Sequence, residues 1–578
     1  MSNFYSDDPD LQAQLDGLDL RRVVALREDD YEQARDFAYA PRDYDDALDS
    51  YRRTLEIVGE IAGEFVAPRA EDVDRAGSQL VDGEVCYAPG LSAALERLTQ
   101  ADLMGITLPR RYGGLNFPVT VSVMIVEMIS RADPALMNVF GLQDIAETVN
   151  KFASGEIKER YLPRFASGEV TGSMALTEPE AGSDLQNVQL KATLGDDGVW
   201  RLSGVKRFIT NGCGQVSLVL ARSEEGTTDA RGLSMFLYER DEHMRIRRLE
   251  DKLGIHGSPT CELQFDNAPA LLVGERRRGL TTYVMSLMNG ARIAIAAQAQ
   301  GIAEAAYRAA SKYADERVQF GGPIRELTPV AAMLADMKVA IEASRALLYE
   351  TALIVDLKEG LERRVEQHQS GERPAGDDEL KELRAELKRA ARLAALYTPL
   401  AKACATEMAN RAAYDSLQIH GGSGYMRDFA VERHSRDVRI TNIYEGTTQL
   451  QVVAAIGGVL SGTMADRLDE YDAGDFSATP ELLAQVRAAR ERWAAAIAHV
   501  RSIDSPAFRD FHSRRLVEMA TDLACAYLLL RAAQSAARKL LVARYFVDQM
   551  TARVEAAAQA VLASGPASID ALQALGRD

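Results

Sequence analysis

One glutamate, Glu445, lies in a turn whose neighbouring residues would let it act as a base. Tyr444 precedes it, and Gly446, Thr447 and, a little further on, Gln449 follow it. Because glycine has no side chain, Gly446 lets a ligand approach the carboxylate closely. Thr447 and Gln449 add neutral hydrogen-bonding groups, so no neighbouring cation cancels the charge. The sequence here predicts either a general base or the capping or solvated glutamate that is common in helix-entry turns.

Two further polar segments could border a flat, neutral heterocycle. The segment 174–184 (MALTEPEAGSD) is rich in small and turn-forming residues, and its backbone N–H groups could bind ring carbonyls or the anion formed on reduction. The segment 208–212 (FITNG) ends a predicted strand. Phe208 could stack on the ring while Thr210 hydrogen-bonds its edge. On composition alone, an ordinary surface turn is the commoner explanation of each segment.

Two glycine-containing segments could contact phosphate groups. Arg317 begins the sequence RVQFGGP where a predicted helix ends, and a guanidinium binds phosphate oxygens through two hydrogen bonds. The alternative is a helix C-terminus stopped by glycine. The segment 418–425 (QIHGGSGY) permits close backbone approach, but no strand precedes it and no βαβ pattern surrounds it, so it is not a dinucleotide-binding fingerprint. We expect His420 within it to be structural.

These segments fall at the ends of elements that the hydrophobic pattern predicts. Helical periodicity dominates residues 46–168, short consecutive strands fill 169–276, and long Ala-rich helices occupy 277–462. Strands without intervening helices predict a small antiparallel barrel or sandwich, and Ala-rich helices predict a closely packed four-helix bundle. The predicted fold class is α+β, with an N-terminal arm at 1–45 and an extra helical domain at 463–578.

Several connections can be predicted more closely. An Asp-Asp-Gly turn at 196–198 predicts a hairpin. The charged segment 358–390 predicts an insertion, with an exposed loop at 369–378 between two helices. The acidic stretch 466–475 predicts a linker. The stretch 528–544 mixes apolar and basic residues, which predicts either packing inside the protein or an amphipathic contact with a membrane.

Composition excludes several classes of protein. The net charge of −18 over 578 residues argues against broad nucleic-acid binding. The five cysteines are scattered and lack metal-ligand spacing, so we expect neither a disulfide framework nor a metal site. The N-terminal residues lack a signal-peptide pattern, and no apolar run reaches the roughly 18 residues of a membrane span. We therefore expect a cytoplasmic protein without an integral membrane segment.

Five motifs, taken together and in order, closely resemble the acyl-CoA dehydrogenase family of flavoproteins. They are TEPEAGSD at 177–184, FITNG at 208–212, RVQFG at 317–321, QIHGGSGY at 418–425 and IYEGT at 443–447. The similarity covers about residues 46–460, with the family's α–β–α layout. The resemblance implies non-covalently bound FAD, a CoA thioester substrate and α,β-dehydrogenation to the trans-2-enoyl-CoA, as in fatty-acid β-oxidation.

Transferred position by position, the resemblance assigns roles to individual residues. Glu445 would take the α-proton while a β-hydride passes to flavin N5. The FAD would contact Met174, Leu176, Thr177, Gly182, Ser183, Phe208, Ile209, Thr210, Arg317, Gln319, Phe320, Gln418, Ile419, Gly421, Gly422, Thr447 and Gln449. The substrate would contact Ser183, Asn289, Arg292, Tyr444 and Gly446. In the family, the contacts around Arg317 and Gln418 reach the FAD of a neighbouring subunit, which implies a homodimer or homotetramer.

The sequence departs from the family pattern at a few positions. Phe208 replaces a tryptophan that is common there, and Thr328 stands where many members have a glutamine that contacts FAD. Ala291 indicates that the alternative base of some branches is absent. The insertion and the C-terminal extension resemble the longer bacterial members, including fatty-acyl and methylmercaptopropionyl-CoA dehydrogenases.

The resemblance leaves the substrate and the electron acceptor open. Medium- to long-chain fatty acyl groups are the first expectation, with branched, aromatic and thioether groups as alternatives. The expected electron acceptor is an electron-transfer flavoprotein. The alternatives are an acyl-CoA oxidase that uses O2 and a flavin-binding relative that does not dehydrogenate thioesters.

Overall fold

The computed structural model describes residues 2–373 and 376–576 of the chain. It divides into two compact units. Unit 1 comprises Met1–Gln12, Leu20–Ala305 and Gly422–Thr441, and unit 2 comprises Ala13–Asp19, Ala306–Gly421 and Asn442–Asp578.

Unit 1 begins with short helices and a small hairpin. Within the predicted arm at 1–45, the chain forms short helical segments. Side chains of Asp43 and Asp133 cap the third and seventh helices by accepting hydrogen bonds from backbone N–H groups at the helix starts. The elements are α1 (Pro9–Gly17), α2 (Arg21–Arg27), α3 (Tyr44–Glu60), α4 (Ala70–Ala76), β1 (Gln79–Val81), β2 (Glu84–Cys86), α5 (Pro89–Gln100), α6 (Val119–Ala132), α7 (Pro134–Phe140), α8 (Ile145–Phe152) and α9 (Gly155–Ala166).

A barrel-like sheet follows within unit 1. Its strands run in the order β3-β6-β4-β5-β9-β7, β6 also pairs with β7, and β8 pairs with β9. Apolar side chains from both faces of this sheet form buried clusters. The strands are β3 (Gly172–Ala175), β4 (Lys191–Leu194), β5 (Trp200–Thr210), β6 (Val216–Arg222), β7 (Leu233–Glu239), β8 (Met244–Leu249) and β9 (Thr260–Val273).

Most of the predicted sheet is confirmed, with two differences. The hairpin predicted at 196–198 joins β4 to β5, which pair antiparallel. The sheet is not wholly antiparallel, because β3 pairs with β6 in parallel. Residues 176–215, which include β4 and β5, connect β3 to β6, and a connection of this length lets the two strands run in the same direction. The sequence analysis did not predict β8, whose arginines alternate with the buried Met244 and Ile246.

Long helices follow the sheet. The long Ala-rich helices predicted within 277–462 are confirmed, and the first two span Met285–Glu316 and Thr328–Ser370. The segment 358–390 mainly lengthens α11 and α12, which end and begin on either side of the predicted loop; residues 374 and 375 of that loop lie outside the described residues. The elements are α10 (Met285–Glu316), β10 (Val318–Gln319), β11 (Gly322–Pro323), α11 (Thr328–Ser370), α12 (Asp377–His420), α13 (Val431–Val438) and α14 (Thr448–Ser461).

The C-terminal region is helical and shares a core with the bundle. The predicted linker at 466–475 is mostly a helix, because Met464, Leu468 and Tyr471 point inward while its acidic residues face water. One buried apolar cluster contains Tyr397 and Val452 of the bundle together with Trp493 and other residues of the extension. The helices are α15 (Thr463–Asp472), α16 (Pro480–Ser502), α17 (Pro506–Ala533), α18 (Ala537–Leu562) and α19 (Ala567–Leu575).

The stretch 528–544 packs largely into this core. Leu528, Leu529 and Leu530 are buried there, as is Val542, which fits the packing interpretation of its apolar residues. In the described part of the chain, no single helix has the length and apolar character to cross a membrane; α14 and α15 meet that criterion only as a pair bent by 70°.

Candidate functional site

The turn that contains Glu445 has an unusual backbone. Glu445 adopts the left-handed conformation with φ of 54°, and Gly446 follows with φ of 89°. A side chain in this conformation costs about 1–2 kcal/mol, so the surrounding structure must hold the turn in place. Thr447 caps α14, since its Oγ1 accepts a hydrogen bond of 3.4 Å from the backbone N–H of Leu450. Thr447, and not Glu445, is therefore the capping residue.

Two long side chains hold the backbone carbonyls of this turn. Gln451 Nε2 donates to Gly446 O at 2.8 Å and to Glu445 O at 3.2 Å. Lys402 Nζ, from α12, donates to Gly446 O at 2.7 Å. Lys402 and Gln451 are both fully buried. The two lone pairs of one carbonyl are thus both used, by donors from two different helices.

A carboxylate on α12 connects the two ends of the turn. Glu407 Oε1 accepts hydrogen bonds from Asn442 Nδ2, before the turn, and from Thr448 Oγ1, after it. The sequence analysis missed Lys402, Glu407 and Gln451. The first two lie about 40 residues before Glu445 on another helix, so no local spacing could have indicated them. Gln451 comes shortly after the IYEGT motif at 443–447, so its proximity in sequence could have indicated a role in the turn.

In unit 1, the segment 174–184 leaves β3 as a loop with a tight internal turn. Backbone hydrogen bonds join Glu178 and Ala181 in both directions at 3.1 Å. Gly182 and Ser183, beyond this turn, are exposed, whereas Leu176 is buried and Met174 and Thr177 are half-buried. The loop therefore exposes the Ser183 hydroxyl and backbone groups to solvent, while its first residues are anchored in the protein.

A buried ion pair fixes that loop to the sheet. Lys206 Nζ lies 2.8 Å from both Glu178 Oε1 and the carbonyl of Leu176. Glu178 also accepts hydrogen bonds from the backbone N–H groups of Gln189 and Leu190, at 2.7 and 2.9 Å. Burial lowers the pKa of Lys206 to about 8, although the charge of Glu178 opposes this shift. The sequence analysis did not identify this pair.

The end of β5 presents an aromatic ring. A bulge interrupts the pairing of β5 with β9 between Lys206 and Ile209, and within it Phe208 has φ of 61° and is 51% exposed. Ile209 is buried and Thr210 is half-buried. Asn211 anchors the strand end, because its Nδ2 donates to the carbonyl of Gly172 at 2.9 Å. The bulge re-aims Phe208 outward.

The predicted substrate residues of α10 also lie in unit 1. Arg292 Nη1 donates to Asn289 Oδ1 at 3.2 Å, one helical turn away. Asn289 is exposed and Arg292 is half-buried. These two side chains form one polar patch on the helix.

The predicted phosphate-binding residues of unit 2 lie at a hairpin and a helix end. Arg317, Gln319 and Phe320 are exposed at the short β10–β11 hairpin, where Phe320 is 93% exposed with φ of 54°. Gln418 is exposed and Ile419 is buried at the end of α12.

The same helix end contains a structural histidine. His420 Nδ1 lies 2.8 Å from the carbonyl of Ser416, and its ring stacks on Tyr313 at 4.3 Å. Burial lowers the pKa of His420, so its position fits the predicted structural role. Gly421 belongs to unit 2, and Gly422, the next residue, to unit 1.

These side chains suit FAD on chemical grounds. In unit 1, the exposed face of Phe208 suits a flat ring, and the hydroxyl of Ser183 and the loop backbone suit ring carbonyls. In unit 2, the exposed guanidinium of Arg317 suits a pyrophosphate, and the exposed Gln449 supplies a neutral amide. Among the described residues, no group of three or more His, Cys, Asp and Glu side chains could hold a metal ion.

Family models of acyl-CoA dehydrogenases match most of the chain. The N-terminal domain matches residues 49–169, the middle domain 173–268 and the C-terminal domain 278–367 and 380–456. A further model, described as acyl-CoA dehydrogenase C terminal, matches residues 460–563. The break between 367 and 380 falls inside the charged segment 358–390.

Individual proteins show the same similarity. The chain is 33% identical to the 3-methylmercaptopropionyl-CoA dehydrogenase of Ruegeria pomeroyi, over 79% of this chain and 78% of that protein. The structure of butyryl-CoA dehydrogenase from Megasphaera elsdenii is 30% identical, with a TM-score of 0.60 over 71% of this chain and 98% of that one.

A longer structural match extends into the C-terminal region. The structure of an acyl-CoA dehydrogenase from Bacillus anthracis complexed with FAD has a TM-score of 0.72, covers 90% of this chain and 89% of that one, and at 24% identity shows the shared fold. With family models spanning the chain from residue 49 to 563, this protein belongs to the acyl-CoA dehydrogenase family of FAD-dependent oxidoreductases, which act on a CH–CH bond of acyl-CoA thioesters.

Proposed function

We propose that this chain dehydrogenates an acyl-CoA between Cα and Cβ to give the trans-2-enoyl-CoA, with Glu445 as the base. The observation that carries this proposal is the left-handed turn at Glu445 and Gly446, held by Lys402 and Gln451. A strained backbone with dedicated supports is typical of functional sites. An ordinary capping glutamate would need neither.

In this proposal, the residues of the turn and those that contact the substrate have different roles. Glu445 accepts the α-proton as a carboxylate. Gly446 leaves room for the thioester, and Tyr444 and Ser183 contact the substrate, as do Asn289 and Arg292. When bound, FAD supplies the acceptor for the β-hydride. The fixed turn keeps the carboxylate oriented, so little reorganisation is needed when the proton moves.

We further propose that FAD is held by the residues expected from the family. The ring is bordered by Phe208, Ile209 and Thr210 and by the loop residues Met174, Leu176, Thr177, Gly182 and Ser183. Thr447 and Gln449 complete these contacts. The phosphates are held by Arg317 and Gln319, with Phe320, and by Gln418, Ile419, Gly421 and Gly422, across a homodimer or homotetramer. The full exposure of Phe320 supports a contact with another subunit.

We propose that the substrate is an aliphatic acyl-CoA, in a β-oxidation type of reaction, and that an electron-transfer flavoprotein removes the electrons. The named relatives act on a thioether acyl group and on butyryl-CoA, so chain type must be measured. A panel of butyryl-, octanoyl-, palmitoyl- and 3-methylmercaptopropionyl-CoA with an artificial electron acceptor would rank the acyl groups by kcat/KM.

The central test is the substitution Glu445→Gln. We expect acyl-CoA to bleach the oxidised flavin of the wild-type protein under anaerobic conditions and the variant to lose at least about 1,000-fold in bleaching rate, because the amide cannot accept the proton. FAD content and melting temperature should stay unchanged. Glu481→Gln, an exposed glutamate on α16, is the matched control and should bleach normally.

Two results would contradict this function. If Glu445→Gln bleaches at the wild-type rate, Glu445 is not the base. If no acyl-CoA of the panel bleaches the wild-type flavin, the protein is a flavin-binding relative without dehydrogenase activity. Fast reoxidation of the reduced product complex by air, followed by stopped flow, would instead identify an acyl-CoA oxidase.

A further inference from the structure

The support of the Glu445 turn includes a buried cation that the proposed chemistry does not use. Lys402 lies on α12, and its side chain is completely buried. A buried ammonium is costly unless it is well solvated by protein groups. Its ammonium group donates a hydrogen bond of 2.7 Å to Gly446 O, so the charge lies against the backbone of the turn.

We propose that Lys402 is a positioning residue for Glu445, which both anchors the turn and favours its ionised carboxylate. This inference rests on the proposed function of Glu445. The anchoring follows from the shared carbonyl, because Lys402 and Gln451 hold Gly446 O from two helices. The electrostatic effect follows from burial, since a positive charge in a low-dielectric interior favours a nearby negative one.

Other charged groups lie around the same turn. Glu407, also on α12, bridges Asn442 and Thr448 at its two ends. Arg514, on α17 of the C-terminal region, interacts electrostatically with Glu407 and forms an ion pair with Glu518. A like charge opposes ionisation of a nearby carboxyl group, whereas a positive charge such as that of Lys402 favours it. The balance of these groups sets the pH range in which the base is ionised.

The two roles of Lys402 can be separated by two substitutions. Lys402→Met removes both the hydrogen bond and the charge, whereas Gln451→Met removes a neutral donor to the carbonyls of Gly446 and Glu445. Lys312→Met, at an exposed lysine of α10, is the control for loss of a distant charge. All variants are studied as the full-length protein loaded with FAD.

The first measurement does not depend on activity. Hydrogen–deuterium exchange of the peptide 443–451 in the oxidised protein without acyl-CoA should be at least about fivefold faster in Lys402→Met and in Gln451→Met, since each releases the turn. Lys312→Met should match the wild type. Unchanged exchange in both variants would overturn the anchoring role, and this holds even if no acyl-CoA bleaches the flavin.

The second measurement is the pH profile of anaerobic flavin bleaching. In Lys402→Met, we expect the limiting bleaching rate to fall about 10- to 100-fold. The substrate concentration that gives half of this limiting rate should stay within about threefold of the wild-type value. The midpoint of the acid limb should rise by about one pH unit. In Gln451→Met, the rate should fall without a change of the midpoint. An unchanged midpoint in Lys402→Met would overturn the electrostatic role.

If Lys402→Met does not fold, Gln451→Met still tests the anchoring through exchange. A wild-type protein that no acyl-CoA bleaches would refute the proposed function. A wild-type protein that is bleached, with both variants behaving like it, would refute only this inference.

Discussion

Three of the residues expected to bind ligands adopt the left-handed backbone conformation. Glu445, Phe208 and Phe320 have φ values of 54°, 61° and 54°. Each carries a Cβ that disfavours this conformation, so each requires local support. For Phe208 the support is the bulge in β5, and for Glu445 it is the pair of donors to Gly446 O. Residue type alone would not have indicated this strain.

Replacement of Gly446 tests the geometry of the turn. With φ of 89°, an alanine at this position would be strained, and its Cβ would lie 2.7 Å from Gln451 Nε2. The amide would have to move, and its hydrogen bonds to the turn would break. We expect Gly446→Ala to lower the flavin bleaching rate about 10- to 100-fold while the melting temperature changes little, because only one turn is disturbed.

A second glycine gives a matched control. Gly457 lies in α14, and a Cβ there would meet no atom within 4 Å. Gly457→Ala should leave the bleaching rate unchanged and stabilise the helix by about 1 kcal/mol. Equal rates for Gly446→Ala and the wild type would show that close approach at residue 446 is not required.

At the level of elements, the buried pair of Glu178 and Lys206 joins the loop 174–184, which is proposed to border the flavin, to β5. Removing one partner of such a pair leaves an unpaired buried charge, at a cost of about 3–5 kcal/mol. We expect Lys206→Met to lower the melting temperature and to reduce the FAD content of the purified protein, because the loop 176–183 would loosen. Lys191→Met, at an exposed lysine on the adjacent β4, should retain both. Full FAD retention by Lys206→Met would contradict the role given to the pair.

Elements and their order could be predicted from the sequence, whereas their side-chain connections could not. Alternating and helical hydrophobic patterns indicated β5, β6, β7 and the long helices, and the motifs fell at element ends. The acidic stretch 466–475 was wrongly predicted to be a linker from its charge, because most of it belongs to α15, whose Met464, Leu468 and Tyr471 are buried. Lys402 and Glu407 could not be found, since their roles depend on the packing of α12 beside a turn far along the chain.

At the scale of the whole molecule, the C-terminal region is bound into unit 2 by buried ion pairs as well as by the shared core. Glu342 of α11 pairs with Arg538 and Lys539 of α18. Glu350 of α11 pairs with Arg467 and Arg531, and burial of these carboxylates is tolerated because they are paired.

Acid should weaken this region through a buried histidine. His512 of α17 is buried against Phe508 and Phe511, and its Nε2 lies 2.7 Å from Ser564 Oγ. Burial lowers the pKa of His512 to about 4, below the value of about 6.5 in an unfolded chain. Between these two pKa values, the unfolded state therefore binds more protons than the folded state. The contribution of the neutral His512 to folding stability is complete above pH 6.5 and is lost as the pH falls toward 4.

The expected result is a smaller pH dependence when this histidine is replaced. Between pH 7.5 and 5, the melting temperature of His512→Gln should fall less than that of the wild type. His243→Gln, at an exposed histidine in the turn before β8, should follow the wild type. Equal slopes for all three proteins would show that His512 does not contribute to acid sensitivity.

The ion pairs of Glu342 and Glu350 also constrain how this protein could have evolved. A shorter ancestor that ended after α14 would have exposed the apolar faces of α11, α12 and α14 and left two carboxylates without their cations. A buried carboxylate without its cation is destabilising, so Glu342 and Glu350 suit a chain that carries the C-terminal region. In family members that lack the extension, natural selection would favour other residues at these two positions, so their identity could mark which branch of the family a sequence belongs to.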